Sequence, residues 1–443
     1  MAILYVDNFR GFRNTFIQLK DINFLVGENS TGKTSILSLI NILSNPNFWI
    51  TGDFSTEEFE TDLGYFDEIV SKKSDNKNYF KVGIFKDISS KKDENESIAI
   101  LMKFKEKKGV PIIEEVSYLF DDNEVQVIIT SKGVKYKASP KETKNIKNKL
   151  SFFETWIANQ KLSDEYFEEL SNKGVNRDIL SSNNGAGILL SIILSISTLK
   201  KKSISPFIFL LLARSTWIGP IRAKPEKIYG SYKQRSFSSE GRHIPYLLKE
   251  IIAADHIKLK KDVTRNIENF GKNSGLFDKV GIKSFGDEKA SPFELDIYLG
   301  KEPFKISNVG YGVSQVLPVL VETLSGNKGE WFEMQQPEIH LHPKAQAAVG
   351  ELFFNANNSE NKKFIIETHS DYILDRFRYC VNRKYKEESN DKKINAQVLF
   401  FERTSEGNRI HSIEINENGA YDENQPKSFR EFFITEELKL IRI

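Results

Sequence analysis

The sequence has almost no cysteine. Cys380 stands alone among 443 residues, so no disulfide can form within the chain, which suits a reducing, cytoplasmic compartment. A long apolar run is missing too. The most apolar stretch, residues 187–196, is shorter than the roughly 17–25 residues that cross a bilayer, and is expected to be a core helix. The start, Met1 to Asp7, has neither the basic region nor the apolar run of a signal peptide. No membrane association is expected. Neither charge dominates: 63 Lys+Arg face 61 Asp+Glu, a formal net charge of +2. That balance leaves DNA open as a partner, because a basic face can hide in a neutral total. Heptads never persist long enough for a coiled-coil arm. No glutamine occurs between Gln18 and Gln126.

What is present is an ordinary globular composition, 39% hydrophobic and 28% charged. The length allows two or three domains' worth of structure. One stretch organises it. Gly27-Glu28-Asn29-Ser30-Thr31-Gly32-Lys33-Thr34 is the full G-x-x-x-x-G-K-T phosphate-loop pattern. Ile22 to Val26 reads as a buried strand ahead of it. Ser35 to Leu43 reads as a helix behind it. The glycines let successive N–H groups point into one concavity, and the helix N-terminus adds positive potential there. Gly27, Asn29, Ser30, Thr31, Gly32, Lys33, Thr34 and Ser35 are therefore the candidate ATP-binding residues. Lys33 can reach the β- and γ-phosphates, and the Thr34 hydroxyl can ligate Mg²⁺.

The rest reads as one core with insertions. Residues 79–85, 97–104, 115–120 and 124–129 alternate as strands of an antiparallel sheet. Lys91 to Glu96 is a solvated turn. Residues 141–200 read as helical, and Phe207 to Leu212 as a buried strand. Trp217 to Pro225 is a rigid turn holding Arg222, and 231–242 is a polar, mobile loop. Residues 244–270 are helical by period, and 291–299 is a strand. The expected divisions are an N-terminal lobe (1–77), an antiparallel β subdomain (78–140), a helical insertion (141–205), a strand with helical and loop segments (206–290) and a C-terminal lobe (291–443).

Further stretches add to the glycine loop. Asn308-Val309-Gly310-Tyr311-Gly312-Val313-Ser314-Gln315 opens an apolar helix, which makes a second anion site. Trp331 to Met334 is a strand ending at Gln335-Gln336-Pro337-Glu338-Ile339-His340-Leu341-His342-Pro343. Phe364 to Ile366 is another, followed by Glu367-Thr368-His369-Ser370. Loops at strand C-terminal ends are where open α/β sheets bind ligands. His340 and His342 lack a third ligand in view, so a structural turn before Pro343 is the better reading.

In this order the motifs resemble an ABC-type ATPase head of the RecF/SMC/OLD class, an α/β fold with a mixed sheet. The Gly219-Pro220-Ile221-Arg222 turn and Ser428-Phe429-Arg430-Glu431-Phe432-Phe433 resemble stand-alone ATPase subunits of bacterial anti-phage systems such as Septu, PARIS and retron-linked operons. The resemblance implies a homodimer closed around MgATP, or a higher homo-oligomer. Gly310, Gly312, Ser314 and Gln315 would face the partner's nucleotide, with Ser314 on its γ-phosphate. His369 would sense that phosphate on its own side. An effector protein, a nuclease or toxin from the same operon, would be held in a nucleotide-dependent state. A RecF-like DNA-repair ATPase and a non-hydrolysing scaffold are the alternatives. OLD nucleases carry a Toprim domain after the head, and none is expected in the stretch after His369.

The sequence departs from the class at the catalytic strand end. Gln335 stands where an acidic, Mg²⁺-linked residue, glutamate in close relatives, is expected, and Gln336 where the catalytic glutamate is often found. Glutamine has glutamate's shape but cannot take a proton from the attacking water. ATP is therefore expected to be bound and held. Glu333, inside the strand, and Glu338, beyond the proline, are not expected to act as the base. With no glutamine between 18 and 126, Asp62 or Asp67 would have to face the metal.

Overall fold

The computed structural model describes residues 2–52, 54, 63–87, 97–120, 122–130, 133–142, 146–160, 168–169, 215–230, 236–253, 257–288, 290–387 and 393–433. The chain folds as α/β with an antiparallel and a largely parallel sheet, in two compact units. The first comprises Met1–Lys20, Glu28–Arg214 and Phe401–Ile410, and the second Asp21–Gly27, Ser215–Phe400 and His411–Ile443.

In the first unit, β1 (Ala2–Asp7) and β2 (Thr15–Leu19) join β4 (Phe80–Asp87), β5 (Ser97–Lys107), β6 (Val110–Phe120), β7 (Asn123–Thr130), β8 (Gly133–Pro140) and β9 (Glu168–Glu169). They form one eight-stranded sheet in the order β2-β1-β4-β5-β6-β7-β8-β9. The alternating segments of 79–129 do pair antiparallel. The N-terminal strands extend the same sheet through β1–β4 pairing, a long-range match that alternation alone does not reveal. Residues 168–169 are strand where helix was expected, paired antiparallel with β8, and the remainder of 161–200 lies outside the described residues. The expected turn at 91–96, helix at 187–196 and strand at 207–212 lie outside the described residues.

The helices of this unit are α1 (Lys33–Ser44), α2 (Pro46–Thr51), α3 (Phe66–Ile69) and α4 (Lys149–Ala158). Phe153 and Trp156 of α4 pack on Ile3, Tyr5, Phe85 and Leu101. A second aromatic cluster joins Phe54, Phe80 and Phe104. The Phe80 and Phe104 rings stack at 4.8 Å, and Phe54 meets them edge-on at 5.7 and 5.0 Å.

In the second unit, β3 (Ile22–Gly27), β10 (Ser215–Ile218), β14 (Trp331–Gln335), β15 (Lys363–Glu367), β16 (Ala396–Thr404) and β17 (Gly407–Ile415) form a sheet in the order β10-β14-β15-β3-β16-β17. The β10–β14, β14–β15 and β15–β3 pairs are parallel. All of β3 is buried, as a strand covered on both faces must be. One face carries Phe24, Val26, Phe332, Met334, Phe364 and Ile366. They pack with residues of α5 (Ile244–Ala253), α6 (Ile257–Ser274), α7 (Tyr311–Ser325), α8 (Pro343–Glu360) and α9 (Asp371–Glu387). A second, three-stranded sheet of β11 (Lys279–Ser284), β12 (Phe293–Leu299) and β13 (Glu302–Lys305) completes the unit.

The sheet also carries a buried polar row. Ser412 Oγ donates to Gln397 Oε1 (2.7 Å), Gln397 Nε2 to Asn23 Oδ1 (2.7 Å), and Asn23 Nδ2 to the Phe364 carbonyl (3.3 Å). Buried amides are tolerated only when paired in this way. Of the mobile loop expected at 231–242, residues 231–235 lie outside the described residues and 236–242 are bonded. Gly219 N–H donates to the Ser239 carbonyl (3.0 Å) and Ala223 N–H to that of Glu240 (2.9 Å), so this segment is bonded to the 219–223 turn. Among the described residues no helix is long and apolar enough to cross a membrane.

Phe80 is fully buried in the aromatic cluster. Phe80→Ala is expected to destabilise the first unit by about 3–5 kcal/mol, read as a lower urea midpoint with the slope unchanged.

Candidate functional site

The phosphate loop begins where β3 ends. In the first unit it runs through Ser30 at φ 60 and Gly32 at φ 94, both left-handed. Gly32 is demanded twice. Its φ disfavours other residues, and a Cβ there would lie 2.6 Å from the Phe12 ring. α1 starts directly after it, with no side-chain cap on its N-terminus. A helix N-terminus at this place favours an anion. Lys33 is 3% exposed, and its Nζ donates to the Glu28 carbonyl (2.7 Å), as does Thr31 Oγ1 (2.8 Å). Arg403 Nη2 holds the Asn29 and Ser30 carbonyls (3.1 and 3.3 Å). Nothing in the sequence pointed to Arg403. Thr34 is exposed and Ser35 half-buried. These residues fit a triphosphate: a glycine cradle, an uncapped helix and one ammonium. Among the described residues no group of three His, Cys, Asp or Glu could hold a metal. Mg²⁺ would thus rest on phosphate oxygens, water and the Thr34 hydroxyl.

The second unit brings Gln335, Gln336 and His369 together at the C-terminal ends of its parallel strands. Gln335 is in register with Glu367, and Glu367 with Leu25. Gln336 N–H donates to the Glu367 carbonyl (2.8 Å) and Thr368 N–H to that of Leu25 (3.1 Å). Gln336 itself has φ 45, a left-handed turn that leads the chain off the sheet. Arg222, 4% exposed, sends Nη2 to the Gln335 and Gln336 carbonyls (3.1 and 3.4 Å). Among the described residues its Nε and Nη1 have no hydrogen-bond partner. Burial lowers its pKa to about 10, and Glu338 works in the opposite direction.

Glu338 sits at the centre of this cluster. Its Oε1 accepts from His369 N–H (2.7 Å) and its Oε2 from Thr368 Oγ1 (2.9 Å). Burial raises its pKa, against the hydrogen bonds and Arg222, which favour the ionised form. The sequence reading set Glu338 aside. The signal that could have found it is its place just past Pro337, where the chain leaves the strand. Glu333, one pleat before Gln335, is fully buried. Its Oε1 accepts from the Ser215 hydroxyl, and Oε2 has no partner among the described residues. Burial raises its pKa to about 8, against that hydrogen bond.

Gly310, Gly312, Ser314 and Gln315 lie at the start of α7. Gly310 is its N-cap, with no side-chain cap. A Cβ on Gly312 would come within 3.0 Å of the His340 carbonyl, and the Tyr311 ring stands 5.7 Å from that of His340. Ser314 Oγ donates to the Tyr311 carbonyl (2.9 Å) in its own helix, and Gln315 is buried. His342 caps α8, accepting from Ala345 N–H at Nδ1 (3.3 Å). Asp67 is exposed on α3, and Asp62 lies outside the described residues.

The AAA ATPase domain family matches residues 1–374. No curated protein matches the chain. Among solved structures, the Smc head domain with an extended coiled coil bound to the C-terminal domain of ScpA, from Pyrococcus furiosus, is 11% identical with a TM-score of 0.41, covering 99% of this chain and 100% of that one. The SMC head domain from Thermotoga maritima is 11% identical with a TM-score of 0.34, covering 93% and 98%. The Smc head domain with a coiled coil and joint from Pyrococcus yayanosii is 10% identical with a TM-score of 0.41, covering 93% and 97%.

Two outcomes are expected here. Gly32→Ala forces a left-handed alanine, worth roughly 1–2 kcal/mol, against the Phe12 ring. MgATP binding, measured by calorimetry, should weaken at least about tenfold. Glu333 gives a pH dependence. Its folded-state pKa of about 8 lies above the ordinary 4.5. The unfolded chain therefore releases the proton first as pH rises, and stability falls between those values. Glu333→Gln should flatten that decline, on the order of 5 kcal/mol in full, in unfolding free energies measured at pH 5 and pH 8.

Proposed function

Since the chain belongs to the AAA ATPase domain family, which covers residues 1–374, we propose that it is an ATP switch that holds its nucleotide rather than turning it over. The phosphate loop binds the β- and γ-phosphates through its N–H groups and Lys33, with Mg²⁺ on Thr34. Two copies close around ATP, each offering Gly310, Gly312, Ser314 and Gln315 to the other's nucleotide. To reach the partner's γ-phosphate, the Ser314 hydroxyl must leave the Tyr311 carbonyl. His369 reads the γ-phosphate from its own chain. The closed pair controls an effector, a nuclease or toxin, in the manner of the anti-phage ATPase subunits that the motifs resemble.

One observation carries this reading. An intact phosphate-loop sequence followed by a helix is combined with carboxamides at both positions, Gln335 and Gln336, where an acid would be needed for hydrolysis. The neighbouring carboxyls do not replace it. Glu333 is sealed inside the sheet, and both oxygens of Glu338 accept bonds from the 368–369 turn. The same observation favours a second reading, a scaffold that uses ATP for assembly alone.

The test is MgATP turnover and nucleotide retention for this chain beside Gln335→Glu, with Lys33→Ala as the binding control. The expected result is retention without turnover here, turnover in Gln335→Glu faster by about 10²–10⁴-fold, and neither in Lys33→Ala. Retention by both chains with turnover by neither would remove the switch and leave the scaffold.

A further inference from the structure

We propose that Glu338 positions His369: it sets the Thr368-His369-Ser370 turn through its backbone, and so fixes how well the chain tells ATP from ADP. This rests on the reading of His369 as the γ-phosphate sensor.

The argument starts from where the carboxylate is spent. Oε1 takes the His369 N–H at 2.7 Å and Oε2 the Thr368 hydroxyl at 2.9 Å. A carboxylate with both oxygens engaged by protein donors is badly placed to take a proton from water, so Glu338 is a poor candidate for the missing base. It is well placed to hold a turn. Its two oxygens take donors from successive residues of one turn. Further bonds fasten the flanks of the turn. Thr368 N–H is bound by the Leu25 carbonyl (3.1 Å), Ser370 N–H by Thr368 Oγ1 (3.1 Å), and Ser370 Oγ reaches Gln346 Oε1 (2.6 Å). Glu338 therefore grips the middle of the turn, at the peptide that carries the half-buried His369 side chain.

Glu338 is itself fixed from the other side. Gln336 turns left-handed, Ile339 N–H returns to the Gln336 carbonyl (3.3 Å) and Leu341 N–H to that of Glu338 (3.0 Å). Arg222 holds the Gln335 and Gln336 carbonyls. Among the described residues its Nε and Nη1 have no hydrogen-bond partner. The turn after β10, the loop after β14 and the turn after β15 are thus one connected unit, with Glu338 as its link to the sensor.

The experiment measures Mg²⁺-ATP and Mg²⁺-ADP affinities of the full chain for the wild type, Glu338→Ala, Glu338→Gln, His369→Ala and the Glu338→Ala/His369→Ala double variant. Glu338→Ala should cut the ATP-over-ADP ratio about tenfold, the size of one or two lost hydrogen bonds. ADP affinity should stay within about twofold, because ADP offers nothing for the turn to read. Glu338→Gln keeps one acceptor oxygen and should recover part of the ratio. The double variant should fall no further than the worse single variant, because both act through one turn. A wild-type ratio in Glu338→Ala beside a collapsed ratio in His369→Ala overturns the inference alone, and so does additivity in the double variant. An unchanged ratio in His369→Ala overturns the sensor reading and this inference with it. Loss of ADP binding in both Glu338 variants would mean that Glu338 supports the fold generally, which also overturns a role confined to the turn.

Discussion

Two backbone hydrogen bonds keep three strand ends level. Leu25 gives its carbonyl to Thr368, and Glu367 gives its carbonyl to Gln336. Each is worth about 0.5–1.5 kcal/mol net, but an unmade buried one costs more than that. They bind the first residue past β14 and the first past β15 to the neighbouring strand, so both loops leave the sheet at one height. The rest of the candidate chemistry in this unit follows from that alignment. Glu338 can reach the His369 turn only because both loops depart together, and Arg222 can hold two successive carbonyls only because Gln336 turns sharply as it departs.

The same stretch shows why composition misleads about catalysis. Four of the six residues from Glu333 to Glu338 are Glu or Gln, yet their environments differ entirely. Glu333 lies inside a covered sheet, where ionisation is opposed. Gln335 is buried at the strand end and carries no charge to bring there. Glu338 is ionisable but engaged.

Legibility in the sequence followed the range of the interactions. The glycine loop was readable because its geometry is local: Gly32 needs its φ within one turn of the chain. The parallel strands were readable as short apolar runs, and the antiparallel ones as alternation. The pairing of β1 with β4 was not, because register between distant segments leaves no local mark. Arg403 was missed for the same reason, since it meets Asn29 and Ser30 from the far end of the chain. Arg222 was visible as part of a rigid turn, but its task was not, because that depends on which carbonyls lie beneath it. Glu338 was not expected to act as the base, but its hold on the 368–369 turn was invisible, because distance beyond a proline says nothing about where a carboxylate is aimed. The segment 236–242 looked loose by composition, and only its backbone bonds to the 219–223 turn correct that.

The polar row on the sheet has a consequence for synthesis. Asn23 is matched to Phe364, 341 positions later, and to Gln397, 374 positions later. A ribosome adding about 5–20 residues per second needs roughly 20–70 s to cover the first of those gaps. Throughout that time β3 has been made, but neither flanking strand exists. The strand that launches the phosphate loop therefore cannot be seated until nearly the whole chain has emerged. Assembly of the second unit is timed by its C-terminal strands, and a truncated product that stops before them would carry the loop's sequence without the sheet that supports it.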